Sequence, residues 1–585
     1  MINKLKKDVA STLGKLIASA FDVNMPDISL SFPPDLHLGD FALECFSLSK
    51  ELKTSPALIA TTIANSFTED DLIESVTAAG PYLNIKIKNN QLFSMITKEV
   101  LTKGDKFGDH TSNSKETIMV EYLCPNTNKP LHVGHLRNGA LGMAVSNILA
   151  ASGAKVIKAN LINDRGVHIC KSMLAWQRWG DNSTPETMKM KGDHFVGYWY
   201  VRFAEEAKKD PTLEDQAQEM LQQWENDDAD VLALWRKMNG WVLAGLEESC
   251  KNLNFIFDKV YYESKTYKLG KKLVMEGLEK GIFQRDKNGS VIATLPADKF
   301  GVEKDGSEKK STLIRADGTS LYITQDLETA KLKFDENGLT QSIYVVGSEQ
   351  EHHFKILFNL LERLHFDWAK KCFHLSYAMV YLPEGKMKSR EGKVVDADEL
   401  LAEMHALAIE EMKKRDTNDE ISEAELDVRA HVIADAAIKY FLLQFSPKQD
   451  IHFDPKASLA FEGNTGPYCL YTYARAKSIL AKAEPAIDSE IDFGALGEYE
   501  EIVLANSIIN FDDLLQKAVI EMNPARVVLG LYEVAKAFNQ FYHAQPVLSI
   551  EDETKKKARL AIVQAVSVVI KKGLSLLNIA VIEKM

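Results

Sequence analysis

Long apolar runs are missing from this 585-residue chain. Nowhere do about 18 apolar residues follow one another, so no transmembrane helix and no membrane partner is expected. Cysteine is scarce: Cys45, Cys124, Cys170, Cys250, Cys372 and Cys469 are the whole set, and no two lie within two residues of each other. That spacing excludes a C-x-x-C zinc or redox motif, and scattered free thiols fit a reducing cytoplasm, the expected location. Internal repeats and low-complexity tracts are absent. Positive charge is in deficit, with a net charge of −13. Taken alone this argues against a nucleic-acid partner, but a sum does not reveal a local basic face. The opening MINKLKKDVASTLGKLIASAF has lysines, yet its apolar residues are interrupted. It reads as the first amphipathic helix of a folded domain and not as a signal peptide.

What is present centres on Ile118 to Leu149, IMVEYLCPNTNKPLHVGHLRNGALGMAVSNIL. Ile118 to Leu123 is β-rich, CPNTNKP is turn chemistry, and Leu136, Leu141 and Val145 among Gly and Ala suit a helix packed closely on a sheet. His132 and His135 sit i,i+3 in the first turn and share a face. Helix N-termini attract anions through free N–H groups and the macrodipole. With Lys129 beside them, the two imidazoles make an expected cationic corner for a phosphate, and Gly134 leaves room for a flat base against the backbone. Read alone, an H-x-x-H pair also suits a metal site or surface histidines.

The length suggests about three or four domains. Residues 1 to about 108 read as a separate unit. In it Ala57–Ser66 is helical, and AAGPYLNIKIKN is a strand with Leu83, Ile85 and Ile87 on one face and Asn84, Lys86 and Lys88 on the other. From about 109 to 400 the pattern is strand–helix. AKVIKANLINDRG leads to a helix from Asp164, a helical insertion spans about 176 to 260, and LIRADGTSLYITQDLETAK and SIYVVGSEQEHHFKILF supply the second half of a parallel sheet. After it GKMKSREGK sets Lys386, Lys388, Arg390 and Lys393 among glycines, a cationic loop suited to a triphosphate. From about 401 to 585 strand signals vanish. Leu560, Val563, Ile570, Leu574, Leu577 and Val581 recur at steps of a helical face, so an all-helical bundle is expected.

HVGH together with the distant basic loop resembles the HIGH and KMSKS signatures of class I aminoacyl-tRNA synthetases. VEYLCPNTNKPLHVGHLRN is similar to the arginyl-tRNA synthetase version, and likeness to that family runs along essentially the whole chain. The resemblance implies a Rossmann-type α/β catalytic domain, an α/β N-terminal add-on domain that contacts the tRNA elbow, and an all-α C-terminal anticodon-binding bundle. It further implies ATP-dependent activation of L-arginine, accompanied by Mg2+, and transfer of arginine to the 2′-hydroxyl of the terminal adenosine of tRNA(Arg). A monomer is expected. Lys129, His132, His135, Lys386 and Lys388 become the catalytic candidates. His132, Gly134, His135, Lys386 and Met387 would hold ATP, and no residue is singled out as a metal ligand.

For arginine the resemblance points to Asp326 and Tyr322 on LYITQD for the guanidinium, with Glu121, Asn126, His135 and Gln350 around the rest. A guanidinium offers five donors and a fixed charge, so carboxylates and acceptors must meet it. Asp326 also suits a helix N-cap, and Glu121 a strand-edge charge. For tRNA the matching positions are Tyr82 and Asn84 at a D-loop base, and Tyr471, Arg475 and Tyr542 at the anticodon loop. Stacking and base-edge hydrogen bonds are the chemistry of single-stranded RNA recognition, although sheet and core positions explain the same residues. One departure matters. The fourth position of the KMSKS-type loop is Ser389, and Lys129, just before HVGH, is expected to take over, with Lys388 as competitor. A catalytically silent paralogue that only binds RNA is the alternative reading.

Overall fold

Five parallel strands carry the functional cleft. From one edge to the other they are Cys372–Tyr377, Gln341–Gly347, Thr117–Glu121, Lys155–Ile162 and Lys259–Tyr262. The first strand in the chain, Thr117–Glu121, is central. The next two are added on one side and the last two on the other. The order therefore reverses between Thr117–Glu121 and Gln341–Gly347, and in open α/β sheets ligands bind outside the carboxyl ends at such a switch point. The sheet is buried: Met119, Val120, Ala159, Ile343 and Val345 are all fully enclosed, as a sheet covered on both faces requires.

The computed structural model describes residues 2–24, 26–381, 395–415, 421–483 and 491–585. They divide into two compact units, His110–Leu459 around the parallel sheet, and Met1–Asp109 with Ala460–Met585. No described helix is long and apolar enough to cross a membrane.

Two details of the sheet unit differ from expectation. The strand Lys310–Ile314, read as part of the main sheet, pairs instead with Val291–Thr294, and that strand with Gln284–Arg285, in a separate three-stranded antiparallel sheet. Only five residues separate Gln284–Arg285 from Val291–Thr294, an interval that favours a hairpin because a parallel return needs a crossover of a dozen or more residues. The helix after the second strand starts at Val167, with Gly166 as its N-cap and Asp164 outside it. Between that helix and Lys259 run Gly192–Ala207, Thr212–Glu225 and Ala229–Asn252. The helices Ala397–Arg415 and Glu423–Leu443 also belong to this unit, as does Ile451–His452, a two-residue strand parallel to Val380–Tyr381.

In the other unit, Leu5, Val9, Leu13 and Ile17 form the fully buried stripe of the helix Ile2–Phe21, the i,i+4 face the sequence indicates. A four-stranded antiparallel sheet runs Leu30–Ser31, Phe41–Glu44, Tyr82–Ile87, Ile73–Ala79. Leu83, Ile85 and Ile87 are its buried face. The helices Gly466–Lys482, Tyr499–Glu521, Ala525–Ala544 and Glu553–Leu576 complete the unit. Arg559 and Glu501, both buried, pair at 2.7 Å between two of them. Such a pair ties helix register to geometry, because removing either partner would strand a charge.

Candidate active site

A cleft of about 1300 Å³ opens at the carboxyl ends of the parallel strands. Cys124 follows the first strand, Asn163 the second and Glu263 the third, Gly347 ends the fourth and Tyr377 the fifth, and all five residues line the cleft. The loop from the central strand begins in a conformation L-residues avoid: Leu123 has φ +74° and Cys124 φ +48°. Asparagine amides hold it there. Asn138 Oδ1 accepts from Leu123 N at 2.6 Å, Asn160 Oδ1 from Cys124 N at 3.1 Å, and Asn163 Nδ2 donates to Cys124 O at 3.1 Å. Of the residues that follow, Asn126, Asn128 and Lys129 line the cleft.

The HVGH helix is Val133–Ala151, with His132 as its N-cap. His132 Nδ1 accepts from Gly134 N at 3.1 Å, and His135 Nδ1 accepts from His132 N at 3.0 Å. The two imidazoles thus form a reciprocal capping box, with ring centres 3.9 Å apart. A backbone N–H only donates, so each Nδ1 is unprotonated and each ring carries its proton on Nε2. Burial first, then the Lys129 charge, push His132 down to about 4, although Asp396 opposes them. His135 lies well below its ordinary value through burial, His132 and Lys129. This corrects the cationic corner: both rings are neutral N–H donors at neutral pH, and Lys129 brings the positive charge. Burial lowers the Lys129 pKa. Gly134 has a second use here, because a Cβ on it would stand 3.0 Å from His132 Cε1, where the capping ring folds back.

Lower on the same helix, Arg137 is buried and donates to the carbonyls of Ala378, Met379, Pro447 and Gln449 at 2.5, 3.1, 3.0 and 2.7 Å. It fixes the wall Ala378–Tyr381, which lines the cleft beside the HVGH turn. Val395 lines it as well. Lys386, Met387, Lys388 and Arg390 lie between these segments, outside the described residues.

Tyr322, Asp326, Gln350 and His353 line the same cleft. Asp326 is inside the helix Tyr322–Asn337, so it is not an N-cap. Two residues here escape the sequence reading. His353 Nε2 lies 2.6 Å from Asp326 Oδ2. Glu263 is 2% exposed, and its Oε2 has no hydrogen-bond partner among the described residues. Burial, then repulsion from Asp326, hold its carboxyl well above the usual range against the pull of Arg165. A buried acid with an open acceptor is costly unless a donor arrives. Its signal in the sequence is its position, directly after the short strand KVYY. Arg165 is committed elsewhere, to Gln325 Oε1 at 2.7 Å and to Glu225.

The structure thus brings Asn126, Lys129, His132, Gly134, His135, Tyr322, Asp326 and Gln350 to one cleft. Glu121 is not on its lining. It is buried, with Lys333 Nζ 2.6 Å from Oε2. In the other unit Arg475 donates to Tyr471 Oη at 2.7 Å and lies over the rings of Tyr471 and Tyr542, at 4.5 and 4.8 Å. Tyr82 is 42% exposed beside exposed Phe46, whereas Asn84 is 5% exposed.

Comparison with known proteins agrees along the whole chain. Residues 96–454 match the model of the class I (R) tRNA synthetase catalytic domain, 3–87 the arginyl tRNA synthetase N terminal domain, and 469–585 the DALR anticodon binding domain. The arginine–tRNA ligase of Treponema denticola is 42% identical over 99% of both chains. That of Bacteroides fragilis is 40% identical over 100% of this chain and 99% of its own. The arginyl-tRNA synthetase structure from Thermus thermophilus superposes with a TM-score of 0.79 at 26% identity, covering 98% of this chain and 100% of that one. A cleft at the switch point of a parallel sheet, a histidine-capped helix on its lining and family matches over three consecutive segments lead to one conclusion: this chain belongs to the arginyl-tRNA synthetase family of class I tRNA synthetases.

Proposed function

We propose that the chain is an ATP-dependent arginine–tRNA ligase that forms arginyl-adenylate and then arginyl-tRNA(Arg). In the first step a carboxylate oxygen of arginine attacks the α-phosphorus of ATP and pyrophosphate leaves. In the second the 2′-hydroxyl of the terminal adenosine attacks the arginyl carbonyl, and AMP leaves. Neither step needs a protein nucleophile. The protein's part is to hold reactants in line and to place donors where charge grows on phosphate oxygens. The observation that carries the reading is the presence, on the lining of one cleft, of a donor-rich helix tip and of carboxylates.

His132 and His135 then serve as neutral Nε2–H donors to phosphate oxygens, and Lys129 as the cation. Lys386 and Lys388 are further candidates for that cation. Mg2+ would accompany ATP and offset the charge of its phosphates. Asp326 and Tyr322 take the guanidinium, with Glu263 as an added acceptor whose open oxygen fits a donor-rich group. Asn126 and Gln350 line the path to the reacting carboxylate, and Glu121 acts through Lys333. Asn84 would act from within the sheet beneath Tyr82. Tyr471, Arg475 and Tyr542 offer stacking planes for anticodon bases, a contact worth ~1–3 kcal/mol per base. The enzyme is read as a cytoplasmic monomer, in keeping with its free cysteines.

Arginine-dependent exchange of pyrophosphate into ATP, run with and without tRNA(Arg), tests this. Exchange that needs arginine, under either condition, is the expected result. Exchange supported by another amino acid, or none at all beside intact RNA binding, would overturn it.

A further inference from the structure

One helix of the insertion touches the phosphate corner at two points. A Cβ on Gly197, in the helix Gly192–Ala207, would stand 3.0 Å from Pro130 Cδ and 3.6 Å from Lys129 Cα. The helix backbone therefore packs close to the Lys129–Pro130 segment, and a methyl there would make Pro130 give by a few tenths of an ångström. Three residues earlier, His194 Nε2 lies 2.9 Å from Asp396 Oδ2. Asp396 Oδ1 accepts from Asp398 N at 2.8 Å and Glu399 N at 3.2 Å, at the start of the helix Ala397–Arg415. The backbone around Asp396 is laced to the HVGH turn: Val133 N donates to Val395 O at 3.1 Å and Ala397 N to Leu131 O at 3.0 Å. Three residues after Gly197, Tyr200 lines the cleft and its hydroxyl lies 3.1 Å from His168 Nδ1. Positions 194, 197 and 200 share one face of the helix.

The neighbouring cluster Asp193, His194 and Asp398 has the ligand types of a metal site. Lys191 already stands among them as counter-charge. Its Nζ contacts Asp398, lies 3.2 Å from Asp193 and donates to Ser249 Oγ at 2.5 Å.

We propose that His194 and Gly197 are positioning residues for adenylate formation. Their helix sets the depth at which Lys129 enters the cleft and clamps, through Asp396, the His132 turn. The proposal rests on the reading of Lys129 as the cation at the phosphate. Neither residue touches substrate, so the effect must appear as misplacement of groups that do, and a displacement near 1 Å is worth up to ~10²-fold in rate.

The test is kcat and arginine KM for arginylation by G197A, H194A and H194Q, each in the parent and in a K129A background, with thermal unfolding read on every variant. G197A and H194A should lower kcat about tenfold or more and leave arginine KM within about twofold. H194Q should recover most of the loss, because its amide nitrogen donates to Asp396. In the K129A background G197A should lower kcat little further, whereas H194A, which acts through Asp396 on the His132 turn, should still lower it. Unchanged kcat in both G197A and H194A, or the full G197A loss repeated in K129A, overturns the proposal and leaves the reading of Lys129 standing. Full activity of K129A alone removes that reading and the proposal with it. If G197A does not fold, H194A against H194Q carries the comparison.

Discussion

Asp326 and His353 meet in the cleft at 2.6 Å, imidazole Nε2 against carboxylate Oδ2. Burial works against a charged His353, but the hydrogen bond and charge of Asp326 outweigh it, and the net shift is upward. The carboxylate proposed for the guanidinium is thus held in place by a partner before any ligand enters. Only its charge, and not its position, needs to be shared with the substrate. Asp326→Asn keeps the shape and loses the charge. Hydrogen bonds to charged groups are worth about 1.5–3 kcal/mol, so the arginine KM should rise roughly 10- to 100-fold with a smaller change in kcat. An unchanged KM in steady-state arginylation would remove Asp326 from the pocket.

Lys129 brings the positive charge to a corner whose histidines are neutral. Lys129→Ala should cut kcat by about 10²–10³, the usual cost of one donor at a developing oxyanion, and leave arginine affinity nearly intact. Pyrophosphate exchange with tRNA present measures both. A fully active variant would hand the role to Lys386, Lys388 or Arg390.

The depressed His132 pKa has a consequence for stability. Its folded value is about 4 against an ordinary 6.5. The unfolded chain therefore binds this proton more readily, and stability present above pH 6.5 is lost as pH falls toward 4. His132→Gln, whose amide oxygen still accepts from Gly134 N, should lose less thermal midpoint between pH 7 and pH 5 than the parent. Equal losses would show that the folded imbalance of protons lies elsewhere.

Arg137 satisfies buried carbonyls on two segments remote in sequence. Each acceptor orphaned by Arg137→Met costs about 1–3 kcal/mol. The denaturant midpoint should fall clearly, and ATP KM should rise, because the wall Ala378–Tyr381 loses its anchor. A stable variant with unaltered KM would mean that this wall is held by its pairing with Ile451–His452 alone.

The features legible in the sequence were local ones. HVGH after a β-rich run pointed to a helix against a sheet, because turn and helix face lie within a few residues of one another. Lys310–Ile314 was misassigned because a strand's composition says that it is buried and not which sheet buries it. Lys259–Tyr262 was too short to stand out, and Glu263 went unnoticed with it. The charge of the histidines was misjudged for another reason. Their acceptor role toward Gly134 N and His132 N, and their burial, are properties of the folded turn.

By itself, the order of residues determined most of the elements, the buried stripes, the helix that HVGH opens and the absence of motifs for other chemistry, since periodicity and turn residues act over short distances. Which groups share a cleft was decided only by the tertiary structure. Asp326 meets His353, Gly197 presses on Lys129 and Arg137 gathers carbonyls from 378 to 449, because a parallel sheet brings together the carboxyl ends of strands that are far apart along the chain.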